Sequence, residues 1–249
     1  MDLVHGVHDG PHLQARRTET GLVVNGVDGS TDNKRRICAP TKSRYPIPAT
    51  RKADVGPAVS LKSILAEIGN CECGYELPHG FRPILQVSRS ARLCIASQAP
   101  GIRAHVTGLP FNDRSGDRLR NWMGMDRKTF YSRSVAIVPM DFCFPGSLPN
   151  GADKPPRRKC AVLWREKVLS AMPSIELTLV VGAYAQAWHL GNRAKANLTE
   201  TVHAWRDYTP RYLPLPHPSW HNNAWLAANP WFEHDVLPYL RRRVRVLCR

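Results

Sequence analysis

The pattern of apolar residues changes along the chain near residue 60. Residues 1–55 contain only a short apolar run, Leu22–Val24, and no sustained periodicity, so we expect a poorly ordered N-terminal extension. From Ser60 onward, apolar residues recur at helical spacing, which predicts a short amphipathic helix that ends near Gly69. Its apolar positions are Leu61, Ile64, Leu65 and Ile68. The folded domain is therefore expected to cover residues 56–249.

Beyond this helix, continuous apolar runs alternate with amphipathic segments. Continuous runs are typical of buried strands, and helical spacing predicts helices between them. The predicted strands are Leu93–Ala96, Val135–Met140 and Leu177–Gly182. The predicted helices are Asp117–Met123, Ala161–Met172, Tyr184–Leu190 and part of Trp231–Leu247. This alternation predicts an α/β three-layer sandwich with a central, mainly parallel sheet, whose functional loops lie at the carboxyl ends of the strands.

Three loops combine Pro and Gly with polar residues and are candidates for a ligand site. They are Ser97–Gly101, Phe142–Gly146 and Leu215–Ser219. A Pro-Gly turn directly after a buried strand bends the backbone sharply, so the Gln98 side chain and the amides of Ala99, Pro100 and Gly101 can face a ligand. Taken alone, this pattern is more typical of an ordinary strand-to-helix connection.

The charge of the protein narrows its possible partners. The 249 residues carry a formal net charge of +15, and Lys plus Arg exceed Asp plus Glu by 3 in residues 1–55 and by 12 in residues 56–249. A basic folded domain attracts polyanions, because neutralising phosphates releases condensed counterions. Nucleic acid is the first candidate partner and an anionic membrane surface the second.

Cellular location follows from what the sequence lacks. No apolar run has the length that spans a bilayer, and the N-terminus lacks a basic-then-apolar signal pattern, so we expect no membrane association. Seven cysteines, an odd number, fit a reducing compartment better than a secreted disulfide scaffold. We expect a cytoplasmic, nucleoid-associated protein.

Two further motifs make the pattern much more specific. Residues 108–116 read Gly-Leu-Pro-Phe-Asn-Asp-Arg-Ser-Gly, and residues 217–219 read His-Pro-Ser. With the Ser97–Gly101 loop, their order and separations resemble the uracil-DNA glycosylase superfamily over about residues 70–240. The similarity is closest to the iron–sulfur (family 4-like) branch, which carries Gly-Glu-Ala-Pro-Gly, Gly-x-Pro-Phe and His-Pro motifs. The His-Pro-Ser motif with the following Asn222 also resembles the single-strand-selective branch.

This resemblance implies a DNA-repair enzyme. Such an enzyme flips uracil, or another deaminated base, out of DNA and hydrolyses its N-glycosidic bond, which leaves an abasic site. We expect a monomer that is monofunctional, because no lysine accompanies the motifs to form a Schiff base with the sugar. The alternatives are a protein that binds uracil or abasic sites without efficient catalysis, and a cluster-bearing nucleic-acid interaction protein with another chemistry.

The resemblance also assigns roles to residues. His217 is expected to donate a hydrogen bond to the uracil carbonyl where negative charge develops, although a His in a Pro-rich turn can also be structural. Phe111 is expected to stack on the flipped base, with an ordinary core position as its alternative. The other expected base contacts are Ala99, Pro100, Gly101, Met140 and Ser219.

The chain departs from the family pattern at two places. Where the first motif usually places an activating acid, this chain has Gln98 and Ala99, so Asp113 and His105 become the candidates for activating water, with Gln98 beside them. Asp113 is preferred, and it is equally typical of a helix cap. The uracil-reading Asn after the second strand is also absent from residues 138–141, which end in Asp141, so strict uracil specificity is in doubt.

The cysteines suggest a metal centre. Cys71 and Cys73 precede the first strand, and Cys143 and Cys160 follow the second. This layout resembles the four ligands of the iron–sulfur branch and implies a structural [4Fe–4S] cluster. Structural zinc is the alternative metal, and four unconnected small apolar residues are the alternative to any metal.

Two kinds of contact with DNA are expected, a wedge in the base stack and contacts with phosphates. Trp220 and His221 follow the His-Pro-Ser motif and are suitable wedges for the vacated stack, with Asn222 beside them. A bulky aromatic residue here is also compatible with a core anchor. The runs Arg157–Lys159 and Arg241–Arg243 are candidate phosphate contacts, although most charge runs are solvated faces.

Overall fold

The computed structural model describes residues 60–74 and 76–249, so the expected N-terminal extension lies outside the described residues. Helix α1 spans Leu61–Gly69, and Ser60 caps it by accepting a hydrogen bond from the Ser63 backbone N–H. The helix buries Ile64 and Ile68. The amphipathic helix inferred from the spacing of apolar residues is confirmed, including its end at Gly69.

In the described part of the chain, four strands form one parallel sheet in the order β2-β1-β3-β4. The strands are β1 (Leu93–Ala96), β2 (Val135–Ile137), β3 (Leu177–Val181) and β4 (Tyr212–Leu215). Cys94 pairs with Ala136 on one side and with Thr178 on the other. The predicted α/β fold with a parallel sheet is confirmed, and burial on both faces explains why the strands read as continuous apolar runs.

Two strands differ from the sequence-based prediction. The second strand ends at Ile137, three residues earlier than expected, because the chain bends away towards Pro139, which has no N–H to donate to the ladder. Strand β4 was missed, since Pro214 lies inside it. The strand lies at the edge of the sheet, the position where a proline is tolerated.

Helices cover both faces of the sheet. The remaining α-helices are α2 (Ile102–Thr107), α3 (Arg114–Met123), α4 (Arg127–Phe130), α5 (Arg158–Cys160), α6 (Glu166–Ser170), α7 (Ala183–Leu190), α8 (Leu198–His203), α9 (Asn223–Ala228) and α10 (Leu237–Leu247). Leu93 and Ile95 pack with Leu119 of α3 and Leu240 of α10, whereas Cys94 joins a separate cluster with α1 and α6. Successive residues of a strand face opposite sides, so the sheet forms the middle of three layers.

The helix predicted from Ala161 to Met172 is interrupted. Between α5 and α6, residues Ala161–Arg165 form a π-helical turn, and this turn buries Arg165 completely. The Arg165 guanidinium donates hydrogen bonds of 2.7 Å to the carbonyls of Val138 and Pro139, and burial lowers its pKa to about 10. Arg165 therefore holds the turn that follows β2.

No helix within residues 60–74 and 76–249 is both long and apolar enough to cross a membrane.

Candidate active site

A cavity of about 380 Å³ opens among the loops at the carboxyl ends of the strands. Its volume lies within the range of pockets that hold small ligands. The loop after β1, the segment around Phe111, the turn after β2 and the loop after β4 all contribute to its wall. The lining includes Gln98, Ala99, Pro100, Gly101, Phe111, Asp113, Pro139, Asp153, Lys154, His217, Ser219, Trp220 and His221. The structure thus brings the Ser97–Gly101 loop, Phe111 and His217 together at one edge of the sheet, whereas the expected Phe142–Gly146 loop is not part of the lining.

The turn after β2 holds the Ser97–Gly101 loop, which is the first loop of the cavity, through backbone hydrogen bonds. The backbone N–H of Met140 donates to the carbonyls of Ser97 and Gln98, both at 2.8 Å. The Gln98 amide lies against Gly182, where an added Cβ would sit 2.9 Å from Nε2. Gly182 also has a φ of +82°, which side chains rarely adopt. A glycine after β3 therefore makes room for Gln98 beside the cavity.

Phe111 has an unusual backbone conformation, and its carbonyl is contacted by both Arg120 and Gly116. Its φ is +55°, a left-handed conformation that is uncommon for a residue with a side chain. Arg120 donates to the Phe111 carbonyl at 3.3 Å, and a Cβ on Gly116 would lie only 1.8 Å from the same oxygen. The ring lines the cavity and meets Phe130 edge to face. The Gly-x-Pro-Phe and Ser-Gly parts of the motif are thus one packing unit.

Asp113 caps a helix and lies at the cavity. It is the N-cap of α3, and its Oδ1 accepts a hydrogen bond of 2.8 Å from the Gly116 backbone N–H. It also lines the cavity that His217 lines. The cap fixes the carboxylate in place and occupies one of its two oxygens.

His217 follows β4 in a loop that is tied at two points. Asn222 donates to the His217 carbonyl at 2.6 Å, and Arg118 of α3 donates to the Ser219 carbonyl at 3.0 Å. Burial lowers the pKa of His217 to about 4, an effect that the Asp113 charge opposes and His221 reinforces. The imidazole is therefore uncharged at neutral pH, and it can act as a neutral hydrogen-bond donor.

Trp220 stands at the mouth of the cavity. It is 70% exposed, an unusual position for a Trp, and it stacks on His221 with ring centroids 3.8 Å apart. Both rings line the cavity. Trp220 is therefore not a core anchor, and its position is compatible with the wedge role expected from the sequence.

Three expected site residues lie elsewhere. The His105 ring packs with His79 and Phe144 and is not part of the cavity lining, because helix α2 turns it away. The Met140 side chain is buried in an apolar cluster against the sheet, so its assignment as a base contact was wrong for the side chain. The Asn222 amide is committed to the His217 carbonyl, which makes it a support of the loop.

Asp141, whose role the sequence left open, belongs to a buried ion pair. It is fully buried and accepts hydrogen bonds from Arg157 Nε at 2.7 Å and Nη2 at 2.8 Å. Arg157 is thereby engaged inside the protein, which corrects its assignment as a phosphate contact. Arg241 is similarly engaged, since its Nε donates to the Trp122 carbonyl at 3.2 Å.

Two charged residues of the cavity had no signal in the sequence. Asp153 and Lys154 line the cavity from a short hairpin between β2 and α5. No motif contains them, and a Gly-Ala-Asp-Lys stretch is typical of any polar loop. Lys154 thus places a lysine in the cavity, although none lies within the motifs themselves. Its ammonium group lies beside Gly146, 3.8 Å from the position of an added Cβ there.

The four cysteines of the expected metal centre lie in one region of the structure, near enough for their charges to interact. Cys71, Cys143 and Cys160 are buried, and the sulfur atoms of Cys71 and Cys73 are 2.8 Å apart. The pKa of Cys143 is raised to about 11 and that of Cys73 to about 12, chiefly by burial and in part by the neighbouring thiols. The two cysteine loops are therefore close enough for their charges to interact.

Hydrogen-bond donors surround these sulfur atoms. Trp164 Nε1 donates to the Cys71 sulfur at 3.1 Å, and the Phe142 backbone N–H donates to the Cys160 sulfur at 3.3 Å. Arg157 adds positive charge and donates to the Cys73 carbonyl. Donors and positive charge of this kind stabilise thiolate ligands, so the residues fit a thiolate-ligated centre. Within the described residues, no three His, Cys, Asp or Glu side chains are grouped tightly enough to hold a single metal ion.

A comparison with protein families agrees with this geometry. The family model described as the uracil DNA glycosylase superfamily matches residues 86–241, which is more than half of the chain. The matched segment contains all the strands described above and every loop of the cavity. The chain belongs to the uracil-DNA glycosylase superfamily.

Proposed function

We propose that the protein excises uracil from DNA as a monomeric, monofunctional glycosylase. The observation that carries this proposal is the shared cavity of a neutral His217 and the Phe111 ring. A planar base can stack on the ring while the imidazole N–H meets a carbonyl oxygen of the same base. Because the cavity lies at the surface, a base must leave the DNA stack to reach it.

The chemistry requires charge stabilisation at two places. As the bond between C1′ of deoxyribose and N1 of uracil breaks, negative charge develops on uracil and positive charge on the sugar. The His217 N–H stabilises the departing anion, and the Asp113 carboxylate assists water or the cationic sugar. A neutral donor suits this role, because it requires no proton to be gained or lost.

Engagement of DNA uses Trp220 and the positive charge of the domain. Trp220 enters the space that the flipped base leaves, and the net charge of +15 favours the phosphate backbone. Uracil is the proposed lesion, and other deaminated bases are further candidates because the side chain that usually reads uracil is absent.

We further propose that Cys71, Cys73, Cys143 and Cys160 hold a structural [4Fe–4S] cluster, as in the iron–sulfur branch. The convergence of the two cysteine loops and the donors around their sulfur atoms support this. Bound there, the cluster would link the two loops covalently. Protein purified under mild conditions should be brown, with broad absorbance near roughly 400 nm. Cys143→Ser should bleach it and Cys248→Ser should not, whereas a colourless protein with or without zinc contradicts the cluster.

The central test measures base release. The protein is incubated with oligonucleotides that carry uracil, hypoxanthine or xanthine, free base is measured, and abasic sites are cleaved with alkali. We expect free uracil and alkali-dependent strand breaks. Binding without release would favour the alternative, a uracil- or abasic-site-binding protein. Absence of abasic product from every lesion contradicts the proposal.

The monofunctional chemistry needs a separate experiment, because Lys154 lines the cavity. Borohydride traps a Schiff base between a lysine and the opened sugar. We expect no trapped adduct with the wild-type protein. An adduct that disappears in Lys154→Arg would show that the enzyme also attacks the sugar.

A further inference from the structure

The first loop of the cavity lacks the carboxylate that the family usually places there, yet a carboxylate reaches the same loop from another segment. The Oδ2 of Asp153 lies 3.2 Å from the position that a Cβ on Gly101 would occupy. Asp153 also lines the cavity together with Asp113 and His217. The missing acid of the first motif therefore has a spatial replacement at the edge of that motif.

A hairpin holds Asp153 in this position. Ser147 and Asp153 form an antiparallel bridge, and Lys154 N–H donates to the Gly146 carbonyl at 2.8 Å. At the tip, Leu148 N–H donates to the Ala152 carbonyl at 2.7 Å. The backbone of Asp153 is thus fixed on both sides, while its side chain extends towards the first loop.

The Asp153 carboxylate is free to act on a ligand. It accepts no hydrogen bond from any residue that the structure describes, in contrast to Asp113, whose Oδ1 is committed to the cap of α3. Burial of part of the side chain raises the pKa of Asp153, the Asp113 charge raises it further, and His221 opposes both. A carboxylate with a raised pKa and access to water is a better base than an ordinary one.

Several charged or titratable groups face Asp153 across the cavity. Asp113 precedes α3, His217 and His221 lie in the loop after β4, and Lys154 is its neighbour in the hairpin. The first loop contributes only uncharged groups, with the Gln98 amide as the largest. Of these groups, only Asp113 is another carboxylate. One acid can therefore accept a proton from water while the other stabilises the positive charge of the sugar.

We propose that Asp153 is the catalytic base of the excision reaction, an inference that rests on the proposed function. A water molecule adds to C1′ and transfers its proton to Asp153. The bond between C1′ and N1 breaks, and its electron pair leaves with uracil, which His217 stabilises until solvent protonates the anion. Asp113, fixed by its cap, stabilises the positive charge of the sugar.

The test compares Asp153→Asn with the wild-type protein in single-turnover excision from a single-stranded uracil oligonucleotide. We expect the excision rate to fall by about a hundredfold or more, because a positioned base contributes at least roughly this much. The affinity for the oligonucleotide should be unchanged. The wild-type rate should fall at acidic pH as the carboxylate is protonated, and in Asp153→Asn this fall should begin at a lower pH, where protonation of His217 remains. Asp235→Asn, the same change at an exposed residue outside the cavity, should behave as wild type.

Each outcome is decisive. An Asp153→Asn protein with the wild-type rate, or with the acidic fall intact, overturns the assignment while uracil excision itself stands. A wild-type protein that releases no uracil removes the proposed function and this inference together. Thermal unfolding of each variant reports folding separately, and the free carboxylate of Asp153 leads us to expect little change.

Discussion

The cavity adjoins the cysteine region, which comprises Cys71, Cys73, Cys143 and Cys160 with the ion pair of Asp141 and Arg157. The two regions differ in how many partners their polar groups have among the described residues. In the cavity, Asp153 has no hydrogen-bond partner among the described residues, and Trp220 is largely exposed. In the cysteine region, Asp141 is fully buried and accepts four hydrogen bonds from Cys143 and Arg157. Groups without partners are available for a substrate, whereas groups with complete sets of partners stabilise the fold.

The contrast also separates two acids that the sequence could not distinguish. Asp141 and Asp153 lie in the same connection between β2 and α5, and each is a carboxylate near a loop motif. Asp141 forms an ion pair with Arg157, whereas Asp153 faces the cavity. The decisive difference is the presence of the partly buried Arg157 cation within hydrogen-bond distance, which the local sequence does not indicate.

The largest effect is expected from breaking the buried ion pair. Asp141→Asn leaves Arg157 without its charged partner and should lower the free energy of unfolding by roughly 3 kcal/mol. Asp207→Asn is the matched control, because it breaks an exposed pair with Lys195 and should cost much less. Urea unfolding of both variants measures the difference, and equal losses would contradict the structural role of Asp141.

The next effect concerns catalysis. His217→Ala removes the donor that stabilises the uracil anion and should slow single-turnover excision by about a hundredfold or more, with uracil-DNA affinity largely kept. Asp113→Asn should also slow the reaction, with part of its effect arising from the helix cap. His105→Ala is the control, since His105 lies outside the cavity lining. If His217→Ala loses activity only in proportion to its loss of folded protein, its catalytic role is wrong.

A smaller effect is expected from the wedge. Trp220→Ala should slow excision from paired DNA by about tenfold, because the vacated stack is no longer filled, and should change excision from single strands much less. Val162→Ala, which also truncates an exposed apolar side chain but outside the cavity, should affect neither substrate. The ratio of the two excision rates is the measurement, and an equal loss on both substrates argues against a wedge.

The smallest effect is the pH dependence of stability. His217 and His189 both have lowered pKa values in the folded protein, because burial disfavours the charged imidazole. The contribution of these two neutral histidines to the free energy of unfolding is complete above their pKa in the unfolded chain, about 6.5. It is lost as the pH falls towards their lower pKa values in the folded protein. His217 alone should account for about 1 kcal/mol between pH 6.5 and 5.5. Urea unfolding should show a weaker dependence in His217→Gln, and a His217→Gln protein with the wild-type dependence would contradict this assignment.

The sequence by itself determined the parallel sheet, three of its four described strands, and the loops Ser97–Gly101 and Leu215–Ser219 of the cavity. These features follow from local periodicity and from turn residues that act within a few positions of the chain. Phe111, Asp113 and His217 were placed in one site by the resemblance of their motifs to the uracil-DNA glycosylase superfamily. Local periodicity missed β4, because Pro214 is a poor strand residue except at a sheet edge, and only the assembled sheet shows which strand is the edge.

Tertiary structure alone decided which polar residues are free and which are committed. In the folded protein, His105 packs against Phe144 outside the cavity, and Asp141 forms an ion pair with Arg157. The Asp153 carboxylate lies beside Gly101 of the first loop, although its hairpin is distant in sequence. Tertiary structure also set the neutral state of His217 by burial. Each of these outcomes depends on burial and on partners far along the chain, and such long-range contacts leave no periodicity in the local sequence.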